Sequence, residues 1–147
     1  ANIAVLPLPQ TNLFLQGRDI STATPRALTA IKSLEAAGVL VAAGADNVQD
    51  PFNLVGRSDP LETASLLILA AHEMPENAYK MVSVNARKAM GLEKADLSLG
   101  SLADFVAIDA PSLRGAIADA PMSRKVFKGG VLISSSLQTT QISPDGL

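Results

Sequence analysis

The chain has 147 residues, of which 48% are hydrophobic and 18% are charged, a composition typical of a folded globular protein. Its net charge of −2 and its 3% of aromatic residues give no basis for binding nucleic acid or an anionic membrane surface. It contains no cysteine, which excludes disulfides and thiolate metal ligands and favours a cytoplasmic location. The longest apolar run, at 64–71, is far shorter than the ~20 residues of a membrane span.

The first part of the chain predicts a β–α–β unit. Residues 3–9 (IAVLPLP) form a short apolar run that ends in prolines and predicts a buried strand, and residues 10–19 are typical of a loop. A helix is predicted over 24–38, and the near-continuous apolar run at 39–45 (VLVAAGA) predicts a second strand. Because a helix joins the two strands, we expect them to be parallel neighbours.

The helix predicted over 24–38 carries signals at both ends. Thr24 can cap it, Pro25 stands at the first helical position, and Gly38 follows the last turn. The apolar side chains between these ends recur at helical spacing, at Leu28, Ile31 and Leu34.

Two further helical stretches follow. Residues 61–73 place an apolar stripe on one face, and residues 76–90 repeat the pattern more weakly. Asn85 lies either inside the second stretch or at the cap of a short new helix, and the pattern favours neither.

The periodicity changes near residue 97. The segments 101–110 and 123–136 are short β-type runs, and Gly129-Gly130 between KVFK and VLIS predicts a hairpin turn. The polar end, 138–147, is typical of a ragged terminus. We therefore predict a first domain over 1–96 and a second, β-rich one over 97–147.

Asp46 is the first candidate for a functional residue, because it directly follows the predicted strand at 39–45. Functional residues of parallel α/β folds cluster at the carboxyl ends of the strands. A carboxylate buried there needs a metal ion, a cation or several hydrogen-bond donors, although a turn-forming role explains an aspartate equally well. Asp50-Pro51 predicts a turn without a catalytic role.

The residues available for a metal site are few. A catalytic zinc or iron centre takes about three protein ligands, commonly histidines. His72 is the only histidine of the chain, and a single histidine in a helical pattern is more typical of a packed or surface side chain than of a ligand. If Asp46 binds a metal ion, its co-ligands therefore lie outside these residues.

Five segments, in this order and spacing, resemble the carboxyl-terminal part of the amidohydrolase superfamily. They are NLFLQGRD, AAGADNVQDPF, NARKAMGL, GSLADFVAID and RKVFKGGVLI. LQGR and the G-x-D-x-V-x-D-P-F pattern are similar to the cytosine deaminase-like branch in particular. The resemblance implies the last two strands and helices of a (β/α)₈ TIM barrel over 1–96 and part of a small β-sandwich over 97–147.

The same resemblance implies roles for three residues. Asp46 falls on an aspartate that binds the metal ion and takes a proton from water. Asn47 stands where cytosine deaminases carry a second acid that contacts the substrate ring. This departure extends the implied substrate from a cytosine-like heterocycle to related ring or amide compounds. Phe52 falls on an aromatic residue that walls the substrate pocket. The implied cofactor is one divalent metal ion, zinc or iron, in the parent enzyme.

The resemblance thus predicts a fragment of a metal-dependent hydrolase that is inactive when isolated. An interrupted barrel would leave two strand edges exposed, which predicts a homo-oligomer that covers them. The alternative is a non-catalytic α/β module that binds a ligand or oligomerises. A leader before IAVLPLP is expected of a natural chain and not of a fragment.

Overall fold

A computed structural model describes residues 3–25 and 28–143, with a mixed α/β architecture. The chain divides into two units, Ala1–Lys94 and Ala95–Leu147. Among the described residues, no helix combines the length and the apolar character that a membrane crossing requires.

The elements of the first unit alternate between short strands and helices. In chain order they are β1 Ala4–Val5, α1 Pro9–Leu15, α2 Ile31–Ala36, β2 Leu40–Val41, α3 Pro60–Ala71, α4 Pro75–Val82 and α5 Val84–Ala89. The second unit contains β3 Phe105–Ile108, α6 Leu113–Asp119, β4 Arg124–Lys128 and β5 Val131–Ser136.

The predicted parallel pair is confirmed, although its strands are shorter than expected. β1 and β2 are parallel, with Val5 opposite Val41. The backbone pairing continues beyond the strands, since Ala42 N donates to Val5 O over 3.0 Å and Gly44 N donates to Pro7 O over 3.3 Å. This pairing carries the chain in an extended form almost to Asp46.

The loop predicted at 10–19 is wrong, because its first half is helix α1. Pro9 stands at the first turn of α1, where a missing N–H leaves no helical bond unmade. Gln10 Nε2 donates to Thr63 Oγ1 over 2.8 Å, and both side chains are buried. A buried hydrogen bond to a helix more than fifty residues away thus fixes α1, and no local pattern carries that information.

The helix predicted over 24–38 is correct only in its second half, where α2 begins at Ile31. Thr24 and Pro25 are not helical, and residues 26–27 lie outside the described residues. The Thr24 hydroxyl donates to Ile20 O over 2.9 Å, so it is engaged with the preceding turn. The predicted end is confirmed, since Gly38 follows the last residues of α2.

The helical stretch predicted over 76–90 is two helices that meet at Ser83. Met81 O accepts from Ala43 N over 3.0 Å, so this carbonyl is taken by the chain beyond β2. Ser83 Oγ donates to Tyr79 O over 2.6 Å, a back-bond that commonly bends a helix. The break therefore follows from a contact with the strand and from a serine that accommodates it.

Asn85, whose place the pattern left open, lies inside α5. Its Nδ2 donates to Val41 O over 2.8 Å. Together with the bond from Ala43 N to Met81 O, this contact satisfies the edge of β2 that faces away from β1.

The core of the first unit is built from small and aliphatic side chains. The helix predicted over 61–73 is confirmed as α3, and its predicted stripe supplies the buried side chains of Leu61, Ala64 and Leu67. The other buried hydrophobic residues of this unit are Ile31, Val41, Ala42, Ala43, Ala78 and Met81.

The second unit contains an antiparallel sheet in the order β3-β4-β5. The predicted hairpin is confirmed, because Gly129 and Gly130 join β4 to β5 with φ of +56° and +79°. Such a turn needs positive φ at both positions, which glycine adopts without strain. Helix α6 was not predicted, although Ser112 Oγ caps it by accepting from Gly115 N over 3.0 Å.

Candidate functional site

Asp46 stands at the carboxyl end of the paired segment that follows β2, two residues beyond Gly44. Its backbone is left-handed, with φ of +65°, and its side chain is exposed. Non-glycine residues adopt this conformation rarely, and aspartate is one of the more tolerant types. The order strand, carboxylate and turn expected from the sequence is therefore present.

An open cavity of about 220 Å³ lies beside Asp46. Its polar lining includes Ser58 and Asp59, just before α3, and Thr63, in the first turn of α3. Asp59 Oδ1 accepts from Leu61 N over 3.0 Å and so caps this helix. The cavity thus carries two carboxylates and two hydroxyls next to the strand end.

The loop beyond Asp46 is closed around Asn53, which is only 6% exposed. The backbone groups of Asn53 and Asp50 bond each other in both directions over 3.2 Å, which confirms the turn predicted at Asp50-Pro51. Asn53 Nδ2 donates to Asn47 O over 2.7 Å. Gly56 packs against this amide, because a Cβ at Gly56 would lie 2.5 Å from Asn53 Nδ2.

Asp50 accepts hydrogen bonds at the centre of this loop. Desolvation raises the pKa of its carboxyl group. The hydrogen bonds from Phe52 N, from the Asn47 side chain and from Asn53 N together lower it by more, so the pKa of Asp50 lies below its ordinary value. Asp50 therefore serves the loop as an ionised acceptor.

Asn47 and Phe52 are the two residues expected to contact substrate. Asn47 lies before this turn and Phe52 lies within it, and neither lines the cavity beside Asp46. Asn47 Nδ2 donates to Asp50 Oδ2, and Asn47 Oδ1 accepts from Thr11 Oγ1 over 3.5 Å. The Phe52 ring is 50% exposed. The structure thus brings Asp46 to the cavity and places the other two residues on the adjoining loop.

The described residues do not complete a metal centre. Across 3–25 and 28–143, no group of three or more His, Cys, Asp or Glu side chains could hold a metal ion. His72 is exposed and ends α3 in a left-handed conformation, with φ of +58°. Asp46 fits one ligand position at most, and the described part of the chain does not supply the others.

Comparison with known proteins defines the family. The model of the amidohydrolase family matches residues 1–133. The chain belongs to this family. The match covers both units of the structure, including the loop that carries Asp46.

Individual relatives within the family are longer than this chain. It is 30% identical over 142 residues to a pterin deaminase of Rhizobium rhizogenes, which covers 93% of the chain and 32% of the relative. The chain therefore spans about a third of the length of this curated relative.

Two solved structures share the fold. A 5-methylcytosine deaminase of Klebsiella pneumoniae liganded with 5-fluorocytosine superposes with a TM-score of 0.83 and 22% identity, over 97% of this chain and 36% of that one. An N-isopropylammelide isopropylaminohydrolase of Burkholderia multivorans superposes with a TM-score of 0.67 and 30% sequence identity. The match covers 77% of this chain and 30% of that one.

Sequence reasoning missed the residues that shape the site around Asp46. Asn53 and Gly56 could have been suspected, because asparagine and glycine after Asp50-Pro51 are typical turn residues. Thr11 and Thr63 carried no such signal, since both act through contacts with residues more than thirty positions away.

Proposed function

We propose that this chain is the carboxyl-terminal part of an amidohydrolase that removes an amino group hydrolytically from a nitrogen heterocycle. The carrying observation is Asp46, a carboxylate held in a left-handed turn at a strand end and facing a cavity. The names of the relatives, a pterin deaminase and a 5-methylcytosine deaminase, support a heterocyclic substrate. We infer a cytosine-like or related ring.

In the proposed reaction, water attacks the ring carbon that bears the amino group, the carbon–nitrogen bond breaks, and ammonia leaves. Asp46 accepts at its carboxylate oxygen the proton that water loses and transfers it to the departing nitrogen. A divalent metal ion of the parent enzyme, zinc or iron, would when bound acidify water enough for attack near neutral pH. The further ligands would come from residues outside this chain.

Asn47 and Phe52 are proposed to contact the substrate. One amide hydrogen of Asn47 bonds Asp50, which leaves its second amide hydrogen for a ring acceptor. The half-exposed Phe52 ring offers an apolar face against which a heterocycle can stack.

For the fold of the parent, we propose that β1 and β2 are the last two strands of a (β/α)₈ barrel and that the second unit is part of a β-sandwich. The parallel pairing of β1 with β2 and the antiparallel order β3-β4-β5 support this assignment. A closed barrel would pair the outer edge of β2 with another strand, so Val41 O and Ala43 N would there exchange their present partners. The homo-oligomer stays a prediction from the sequence.

The function is tested with Asp46→Asn in the longer protein that contains this chain. We expect kcat to fall by about a hundredfold or more, because the amide cannot accept and transfer a proton. Circular dichroism and the thermal midpoint should change little, since Asp46 is exposed. The matched control is Asp19→Asn, also an exposed aspartate, which should keep full turnover. A fall in kcat of less than about tenfold for Asp46→Asn would contradict the role.

Metal content separates this proposal from a self-sufficient site. The isolated chain should contain no stoichiometric transition metal after purification, because one carboxylate does not hold such an ion tightly. The measurement is elemental analysis of the chain and of its Asp46→Ala variant. Stoichiometric metal that disappears in Asp46→Ala would show that copies of this chain complete the site among themselves.

A further inference from the structure

The backbone around Asp46 requires restraint from its neighbours. Asp46 and Gln49 both have left-handed backbones, with φ of +65° and +51°. Such conformations persist only where the surrounding structure holds them, and they concentrate at functional sites. Within the described residues, none donates a hydrogen bond to the Asp46 carboxylate, so its side chain does not hold the turn.

The restraint comes from hydrogen bonds to the carbonyls of the two residues that flank Asp46. Thr11 Oγ1 lies 3.5 Å from Ala45 O, the outer limit of a hydrogen bond, and shares its one hydroxyl hydrogen with Asn47 Oδ1 at the same distance. Asn47 O accepts from Asn53 Nδ2 at 2.7 Å, a short and well-formed contact. The bond from Asn53 is the stronger of the two, and it acts on the peptide group between Asn47 and Val48, one residue beyond Asp46.

Asn53 can hold this peptide group because it is itself immobilised. Its backbone N–H bonds both the carbonyl and the carboxylate of Asp50, at 3.2 Å and 3.1 Å. Its side chain is buried against Gly56, where a Cβ would lie 2.5 Å from Nδ2 and 3.0 Å from Cγ. The amide therefore has little freedom to leave Asn47 O.

We propose that Asn53 is the positioning residue that holds Asp46 in its catalytic orientation, through the hydrogen bond from Asn53 Nδ2 to Asn47 O. The inference rests on the function proposed for Asp46. Without this bond the turn relaxes, and the carboxylate moves relative to the water and to the leaving nitrogen. A displacement of that kind lowers kcat and leaves substrate binding little changed.

The test compares Asn53→Asp with Asn85→Asp in the longer protein that contains this chain. Each change keeps the side-chain shape and turns an amide into a carboxyl group. Asn53→Asp removes the bond of 2.7 Å to Asn47 O, whereas Asn85 bonds Val41 O in this chain and does not touch the loop that carries Asp46. Only Asn53→Asp should lower kcat, by about tenfold or more with KM little changed.

A second readout is independent of turnover. In protein labelled with ¹⁵N-aspartate, the amide resonance of Asp46, assigned by its loss in Asp46→Asn, should shift in Asn53→Asp and not in Asn85→Asp. If both variants leave this resonance in place, or if both lower kcat equally, Asn53 has no positioning role. If the resonance shifts while Asp46→Asn retains turnover, the positioning stands and the proposed function fails.

If Asn53→Asp fails to fold, Gly56→Ala provides a second way to disturb the Asn53 side chain. The added Cβ pushes on the Asn53 amide, so it should shift the Asp46 resonance and lower kcat in the same way. Asn53→Ser leaves room for the added Cβ. The double variant Asn53→Ser with Gly56→Ala should therefore have the same kcat as Asn53→Ser alone. Independent, additive falls would overturn the proposed contact.

Discussion

The two units of the chain keep their strands in place by different means. In the first unit, helices cover the parallel pair, and Val41, Leu67 and Met81 are almost completely buried. In the second, no residue of β3, β4 or β5 is buried, although the structure describes all three strands. Parallel strands are joined through helices that also cover them, whereas an antiparallel hairpin forms from adjacent residues.

This difference predicts where each unit is sensitive to mutation. The first unit depends on apolar burial between segments far apart in the chain. The sheet of the second depends on its backbone ladder and on the stacking of Phe105 against Phe127, whose ring centres lie 4.6 Å apart. A substitution that removes a methyl group should therefore have a larger effect in the first unit.

Leu67→Ala should give the largest loss of stability. Leu67 is fully buried in α3, so the substitution removes buried apolar surface and leaves a cavity. We expect the free energy of unfolding to fall by about 2–5 kcal/mol, as measured by urea denaturation. Ile133→Ala in β5 is the comparison, because Ile133 is 60% exposed and should cost no more than about 0.5 kcal/mol. Equal losses would contradict the distinction between the units.

Thr63→Val should give the next largest loss of stability. It tests how much the buried hydrogen bond between Gln10 and Thr63 stabilises the first unit. The change removes the acceptor of the buried Gln10 Nε2 and leaves that donor unpaired, which should cost about 1–3 kcal/mol. Gln10→Met combined with Thr63→Val replaces both partners by apolar groups and should recover most of the loss. A double variant as unstable as the sum of the singles would show that the hydrogen bond does not couple α1 to α3.

The smallest effect is expected from lowering the pH, which protonates Asp50 in the loop between β2 and α3. The folded-state pKa of Asp50 lies below its ordinary value of 3.8, so its hydrogen bonds stabilise the loop above that pH. The contribution is lost as pH falls from about 3.8 through the lower folded pKa. The protection of the Phe52 and Asn53 amides against hydrogen exchange, taken relative to their intrinsic exchange rates at each pH, should fall over this range. In Asp50→Asn this loss of protection should be absent, and a loss that persists there would assign it to another group.

Local signals predicted the parts of the structure whose causes lie within a few residues. The apolar stripe over 61–73 predicted α3, and Gly129-Gly130 predicted the turn of the hairpin, because helical periodicity and a tight turn both depend on residues close together in the chain. The position of Asp46 after β2 was also predicted, because it follows from the order of an apolar run and an acid.

Tertiary contacts decided the elements that were predicted wrongly. Gln10 makes α1 helical through Thr63, and Ala43 takes the carbonyl of Met81 that a continuous helix would have used. The same holds inside the site, where Asn53 Nδ2 donates to the carbonyl of Asn47, the residue after Asp46. The sequence by itself determined the strand–acid order and the family to which the chain belongs. The orientation of the acid was decided only by the folded structure, because buried hydrogen bonds between distant segments outweigh local propensity.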